Sequence, residues 1–245
     1  KREMMNRVFI IPILAGIALS SSVLCAAEKT VSGIVRLDGP RPKRQPIQLT
    51  PGIRELYQTH PLSEVKIVSA KGEVANVFVY VKKGLPEAKT FPVPEKSALV
   101  NQKKSMFRPR VQGVFVGQEV ILRNSDPLIH NVRSLSDENR PFNIGQPAGT
   151  PDRKKVFKDK EGPIELRCDF HPWMRAYLFV MDHPFFTVTD RHGHFIIKKL
   201  PPGEYTLAIW HEAFGEQKQK LTVGANGLKD VTFTYQPGTI NQQQK

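Results

Sequence analysis

Proline and glycine interrupt this chain so often that few long uninterrupted runs remain. There are 20 Pro and 17 Gly in 245 residues. Proline removes a backbone donor and both residues weaken a helix interior, so the pattern argues against a helical bundle. Between the breaks lie short runs with the period of strands. Forty per cent of the residues are hydrophobic, which allows a packed core and argues against wholesale disorder.

Residues 31–37 alternate and end in the turn Asp38-Gly39-Pro40. Residues 40–61 are rich in Pro and charge and read as a loop with little regular structure. The run 74–81 (VANVFVYV) is a strong strand signal. Two short strands, 111–116 and 119–123, meet at Gly117. Ile164, Leu166 and Cys168 alternate with Glu165 and Arg167, so one face carries all three apolar side chains. Further strands are expected at 176–181, 185–189, 194–197, 205–210, 221–223 and 231–235. Asp190–Gly193 and Pro201-Pro202-Gly203 are the turns among them. Strands this short and this closely spaced suggest β-sandwiches.

Residues 1–27 have the form of a secretory signal peptide. Lys1, Arg2 and Arg7 precede an apolar run too short to span a bilayer, followed by small residues ending in Cys25-Ala26-Ala27. The expectation is export, to a bacterial periplasm or the exterior. Cleavage would remove one of the 2 Cys and leave Cys168 without a disulfide partner in its own chain. Burial, an intermolecular bridge or a metal must then account for it.

Cys168-Asp-Phe-His171-Pro-Trp-Met174 offers a thiolate, an imidazole and a thioether within one tight loop at a strand end. A blue-copper site needs these and one more imidazole. His130, in a Pro-containing turn after the strand 119–123, is the best source of the second. Thiolate plus thioether selects copper over Mg or Ca, and Met is not a usual zinc ligand. Such a set leaves no strong open position for a substrate, which favours electron transfer over catalysis. Singly, each residue has a plainer explanation: a core cysteine, two loop histidines, a packing methionine. It is their joint spacing that points to copper.

Other motifs are weaker. His192 and His194 sit in an expected turn with no third ligand nearby. Trp210-His211-Glu212 lacks the second His of a zinc-protease motif, since position 215 is Gly. His183-Pro184 reads as a junction, and Arg153-Lys154-Lys155 as a solvated loop. Nothing resembles a nucleic-acid module, so no nucleic-acid partner is expected.

The stretch from about residue 98 to 181 resembles the cupredoxins, the plastocyanin and amicyanin family. The likeness rests on F-x-P (107–109), V-G-Q-E-V-I-L-R-N (116–124), H-N-V (130–132), G-P-I-E-L-R-C (162–168) and the C-D-F-H-P-W-M loop, which is most like amicyanin's. It implies an eight-stranded Greek-key sandwich holding one type 1 copper through His130, Cys168, His171 and Met174. Asn131 would then hydrogen-bond across to the Cys168 loop. Residues 30–39, 74–82 and 187–210 resemble the carboxypeptidase-regulatory, transthyretin-like sandwich, most specifically in T-D-R-H-G-H-F-I-I-K-K-L-P-P-G-E-Y-T-L. The arrangement is similar to secreted proteins labelled methylamine-utilisation or plastocyanin-like. Many of these carry C-x-F-x-P-H where this chain has Ser105-Met-Phe-Arg-Pro-Arg110, so a second metal site there is in doubt.

The expected fold is therefore all-β, a Greek-key sandwich inserted in, or next to, a second Ig/transthyretin-like sandwich. The expected division is 1–27 signal peptide, 28–95 plus 183–236 discontinuous flanking sandwich, 96–182 cupredoxin domain and 237–245 polar tail. The expected function is a non-enzymatic electron carrier with His171 as electron port. Pro127, Leu128, Pro172 and Trp173 would form a docking patch for a redox protein. A formal charge of +13 would favour an acidic partner or an anionic membrane surface. Alternatives are a non-redox scaffold at the cell surface and copper storage or delivery. The sequence does not give the oligomeric state.

Overall fold

A computed structural model describes residues 29–238, apart from 56, 58, 59 and 88. The expected signal peptide and residues 239–245 of the tail lie outside the described residues. In chain order the strands are β1 (Thr30–Leu37), β2 (Phe78–Lys83), β3 (Ala98–Gln102), β4 (Phe107–Arg108), β5 (Val111–Phe115), β6 (Glu119–Asn124), β7 (His130–Leu135) and β8 (Asn143–Gln146). They continue with β9 (Arg153–Val156), β10 (Glu161–Arg167), β11 (Arg175–Met181), β12 (Phe186–Val188), β13 (His194–Lys198), β14 (Gly203–His211), β15 (Gly215–Val223) and β16 (Leu228–Tyr235). One four-residue helix, Pro51–Arg54, lies in the segment expected to be a loop.

The strands form four sheets: β13-β1-β16, β12-β2-β14-β15, β5-β11-β10-β7-β8 and β4-β3-β6-β9. The first two sheets enclose one core, built around Val31, Val35, Val79, Ile209, Phe233 and Tyr235. The last two enclose another, around Val100, Leu122, Ile164, Leu166, Leu178 and Val180. The fold is an all-β arrangement of two sandwiches.

Side chains alternate across a strand, so an apolar residue at every position requires cover on both faces. This explains the unbroken runs in β2 and β11. Val79 and Val81 point into the first core, and Leu178 and Val180 into the second. Phe78, Tyr177, Phe179 and Met181 point the other way and join Val111 and Trp210 in a third cluster between the sandwiches. Phe78 stacks on Phe179 with centroids 4.0 Å apart and planes 11° from parallel. Burying a ring like Phe78 contributes about 1.5–3 kcal/mol. Gly113 of β5 lies at this seam. A Cβ there would stand 2.3 Å from the Phe186 ring, so glycine permits the approach.

Two expectations are corrected. Arg153-Lys154-Lys155 is not a loop but β9, paired antiparallel with β6. Its side chains are mostly solvated, so an edge strand can carry this charge. His130 does not sit in the turn but opens β7, where it pairs with Gln146 of β8. The turn ends earlier because Asn124 closes it with its own side chain.

Candidate metal centre

The centre lies at one end of the second sandwich, where β6–β7 and β10–β11 turn back. Asn124, at the end of β6, donates from Nδ2 to Leu128 O (2.7 Å) and Gln146 O (2.8 Å). Its Oδ1 accepts the Asp126 N–H at 3.0 Å, an Asx turn. The turn delivers Asp126 and His130 to the same side. On the other hairpin, Cys168 follows β10. Its N–H donates to Met174 O (3.2 Å), and the Met174 N–H to His171 O (2.8 Å). These two bonds fold the loop on itself.

Register brings the hairpins together. Antiparallel β7 and β10 pair Arg133 with Arg167. Two residues farther on, Asn131 faces Asp169. Asn131 Oδ1 accepts the Asp169 N–H at 2.7 Å, and its Nδ2 donates to Asp169 Oδ2 at 2.9 Å. The expected cross-loop bond thus involves the residue next to Cys168.

His130, Cys168 and His171 converge, all buried, and are the only such group of three among the described residues. His130 Nδ1 and His171 Nδ1 are 2.9 Å apart. Cys168 Sγ is 3.5 Å from His171 Nδ1 and 4.0 Å from His130 Nδ1. Metal–nitrogen bonds of about 2.0–2.1 Å and a metal–thiolate bond of about 2.3 Å span all three separations. The donors therefore fit one ion. Met174 is fully buried in the same core as Cys168.

Electrostatics prepare the donors. Burial pushes the Cys168 thiol up, but hydrogen bonds from His130, His171 and the N–H groups of Asn131 and Phe170 outweigh it and bring its pKa to about 6. A thiolate is the form that binds metal. Burial disfavours a charged His130, yet Asp126 and Cys168 hold its pKa above the ordinary histidine value. Asp126 Oδ2 lies 2.9 Å from His130 Nε2. With Nε2–H donating there, Nδ1 is the ring atom turned toward the cluster. Burial also raises the Asp126 carboxyl, but His130 and the N–H groups of Ser105 and Lys104 lower it overall.

Of the expected docking residues, Pro127 and Pro172 are exposed, and Leu128 and Trp173 are half-buried. Trp173 donates from Nε1 to Ser105 O at 3.0 Å, with its ring centroid 5.4 Å from that of His171. Three contributors went unseen in the sequence. Ile129 and Phe170 are 48% and 53% exposed, flanking the cluster beside His130 and His171. Asp126 was signalled only by Asn-Ser-Asp-Pro, an Asx-turn composition four residues before His130.

The remaining motifs do not join the centre. His192 and His194 are exposed, and their N–H groups donate to Asp190 Oδ1. Glu212 is buried against Arg110 and Tyr177, and His211 against Phe214 and Tyr235 of the first core.

No protein-family model and no curated protein matches the chain. Solved structures with partial similarity include a purple cupredoxin from Nitrosopumilus maritimus, at 24% identity over 35% of this chain and 100% of that one, TM-score 0.30. Amicyanin from Paracoccus versutus is 19% identical over 42% of this chain and 97% of that one, TM-score 0.28. A Cu-containing nitrite reductase from Thermus scotoductus SA-01 is 19% identical over 41% of this chain, TM-score 0.34. The chain spans 26% of that reductase's length.

Proposed function

We propose that this protein holds one type 1 copper ion and carries single electrons between redox partners outside the cytoplasm. The observation that carries this reading is the convergence of two imidazole nitrogens and one buried sulfur, with no carboxylate oxygen among the donors. That set suits copper better than hard cations. His130, Cys168 and His171 would hold the ion, with Met174 as the weak fourth ligand. Bound copper would supply a one-electron couple between Cu(I) and Cu(II).

The chain's own residues do the rest. Asp126 fixes the His130 tautomer, and Asn131 ties the His130 strand to the Cys168 loop. Ile129, Phe170 and Pro172, with Pro127, Leu128 and Trp173, offer an apolar rim around His171 on which a redox protein would dock. Surplus positive charge would steer an acidic partner or an anionic membrane surface, with an on-rate that falls as salt rises.

The same reading places residues 96–182 as a cupredoxin domain inserted into a carboxypeptidase-regulatory-like sandwich of residues 28–95 and 183–236. In support, two sheets drawn from both ends of the chain share one core. It also makes the chain an exported relative of the methylamine-utilisation, plastocyanin-like group. In keeping with that, no described helix is long and apolar enough to cross a membrane.

The test is the visible spectrum of residues 28–245 after Cu(II) addition, beside Cys168→Ser. An intense blue thiolate-to-copper band, lost in the variant and bleached by mild reductant, is the expected outcome. A colourless wild type that retains no copper would overturn the reading.

A further inference from the structure

A buried ion pair joins the second sandwich to the first just behind the ligand loop. Arg110, in the β4–β5 connection, and Glu212, just after β14, have side chains only 5% and 2% exposed. Their contact is bidentate, with Arg110 Nη2 donating to Glu212 Oε2 at 2.6 Å and Nε to Oε1. Such a pair is costly to bury, and losing one partner leaves the other charge buried and unpaired. Arg110 also grips the strand that leaves the ligand loop. Its Nη1 donates to Arg175 O at 3.3 Å, and its own carbonyl accepts the Tyr177 N–H at 2.8 Å. Arg175 immediately follows Met174, whose carbonyl accepts the Cys168 N–H. From the far side, Tyr177 Oη donates to Glu212 Oε2 at 3.4 Å. A cavity of about 240 Å³ lies alongside, lined by Pro172 and Trp173 of the loop and by Arg110, Arg175 and Glu212.

We propose that Arg110, anchored by Glu212, is a positioning residue for the metal centre. Through it the flanking sandwich holds the downstream end of the ligand loop, and so its closing bond between Cys168 and Met174. This rests on the copper reading for its consequence but not for its geometry. It also gives the flanking sandwich a role beyond scaffolding, since the residue that follows β14 is the anchor.

The test compares wild type with Arg110→Lys, which keeps a cation facing Glu212 but loses the fork that reaches Arg175. Glu212→Gln is the second variant. The first readout needs no metal. In metal-free protein, amide hydrogen exchange of Cys168 and Met174–Tyr177 should speed on the order of tenfold in Arg110→Lys, while core amides of β1 and β14 stay as in wild type. The second readout is copper affinity by chelator competition, expected to fall on the order of tenfold as for other supports of metal ligands. Should Glu212→Gln fail to fold, Arg110→Lys decides alone. Unchanged loop exchange, or exchange raised equally in both cores, would overturn the proposal. If wild type takes up no copper, the copper reading fails, while the exchange comparison still decides whether the pair holds the loop.

Discussion

Asp126 Oδ2 stands 2.9 Å from His130 Nε2, four residues on, and the same carboxylate accepts the N–H groups of Lys104 and Ser105. A turn that does nothing but reverse the chain has no need of a buried carboxylate. Here it aims one ring nitrogen by occupying the other. Asp126→Asn keeps the size but loses the charge and one acceptor. Copper affinity is expected to fall about 10–100-fold, the usual effect of removing such a support. Competition with a Cu(I) chelator measures it, and an unaltered affinity would show that the His130 ring is held by packing alone.

Asn131 and Asn143 both reach Asp169, but unequally. Asn131 is buried and makes two bonds to Asp169, one of them to the main chain, whereas Asn143 makes one to Asp169 at the exposed rim and accepts from Asn131 Nδ2 at 2.7 Å. Asn131→Ala should therefore lower stability by about 1–2 kcal/mol and speed copper release. Asn143→Ala should cost at most about half as much. Denaturant midpoints and release rates of the two variants check the order. Equal effects would mean that the Asp169 side chain, rather than its N–H, is what matters.

The metal loop was legible because all its chemistry falls within seven residues and one strand parity places Cys168 inward. The strands around 31–37, 164–168 and 205–210 were legible for the same reason, since alternation reports a buried face. β3, β4, β8 and β9 were not, because each is short and mixes charge or amide groups into its pairing residues. The second buried face of β2 and β11 was hidden too. Val-Phe-Val-Tyr-Val reads as a strand whether one sheet or two cover it, and only the stack of Phe78 on Phe179 reveals the seam. Asp126 and Arg110 were missed because their roles depend on partners four residues and 102 residues away, met only after folding.

That seam makes its own prediction. Phe179 stacks on Phe78 and meets Trp210 edge-on at 5.3 Å. Phe179→Ala leaves a cavity that two sheets cannot both collapse into, at a cost of about 3–5 kcal/mol. Exposed Ile196 of β13, mutated to Ser, should change stability by less than about 0.5 kcal/mol. Chemical denaturation of the pair tests this. A small loss for Phe179→Ala would show that the sandwiches touch without stabilising each other.

His211 is buried at the end of β14 against Phe214 and Tyr235 of the first core, and it predicts how stability follows pH. Burial, then the nearby positive charges of Arg110 and Lys66, push its pKa down from 6.5 to about 3. The ring stays neutral, with Nδ1 accepting the Ala213 N–H at 3.1 Å and the plane stacked 4.7 Å from Phe214. Between pH 6.5 and 3 the unfolded chain binds a proton here that the folded chain refuses. Stability contributed by the neutral ring is thus whole above pH 6.5 and declines as pH falls, with a limiting slope of about 1.4 kcal/mol per pH unit. His183, also lowered by burial, adds to the same slope, while His130, raised overall, opposes it in metal-free protein. Both are shared with His211→Phe and cancel in the difference. The variant should unfold with a shallower pH dependence between about pH 6 and 4, so that wild type loses ground to it steadily on acidification. Parallel stability curves for the two proteins would mean that the folded state admits the proton at His211.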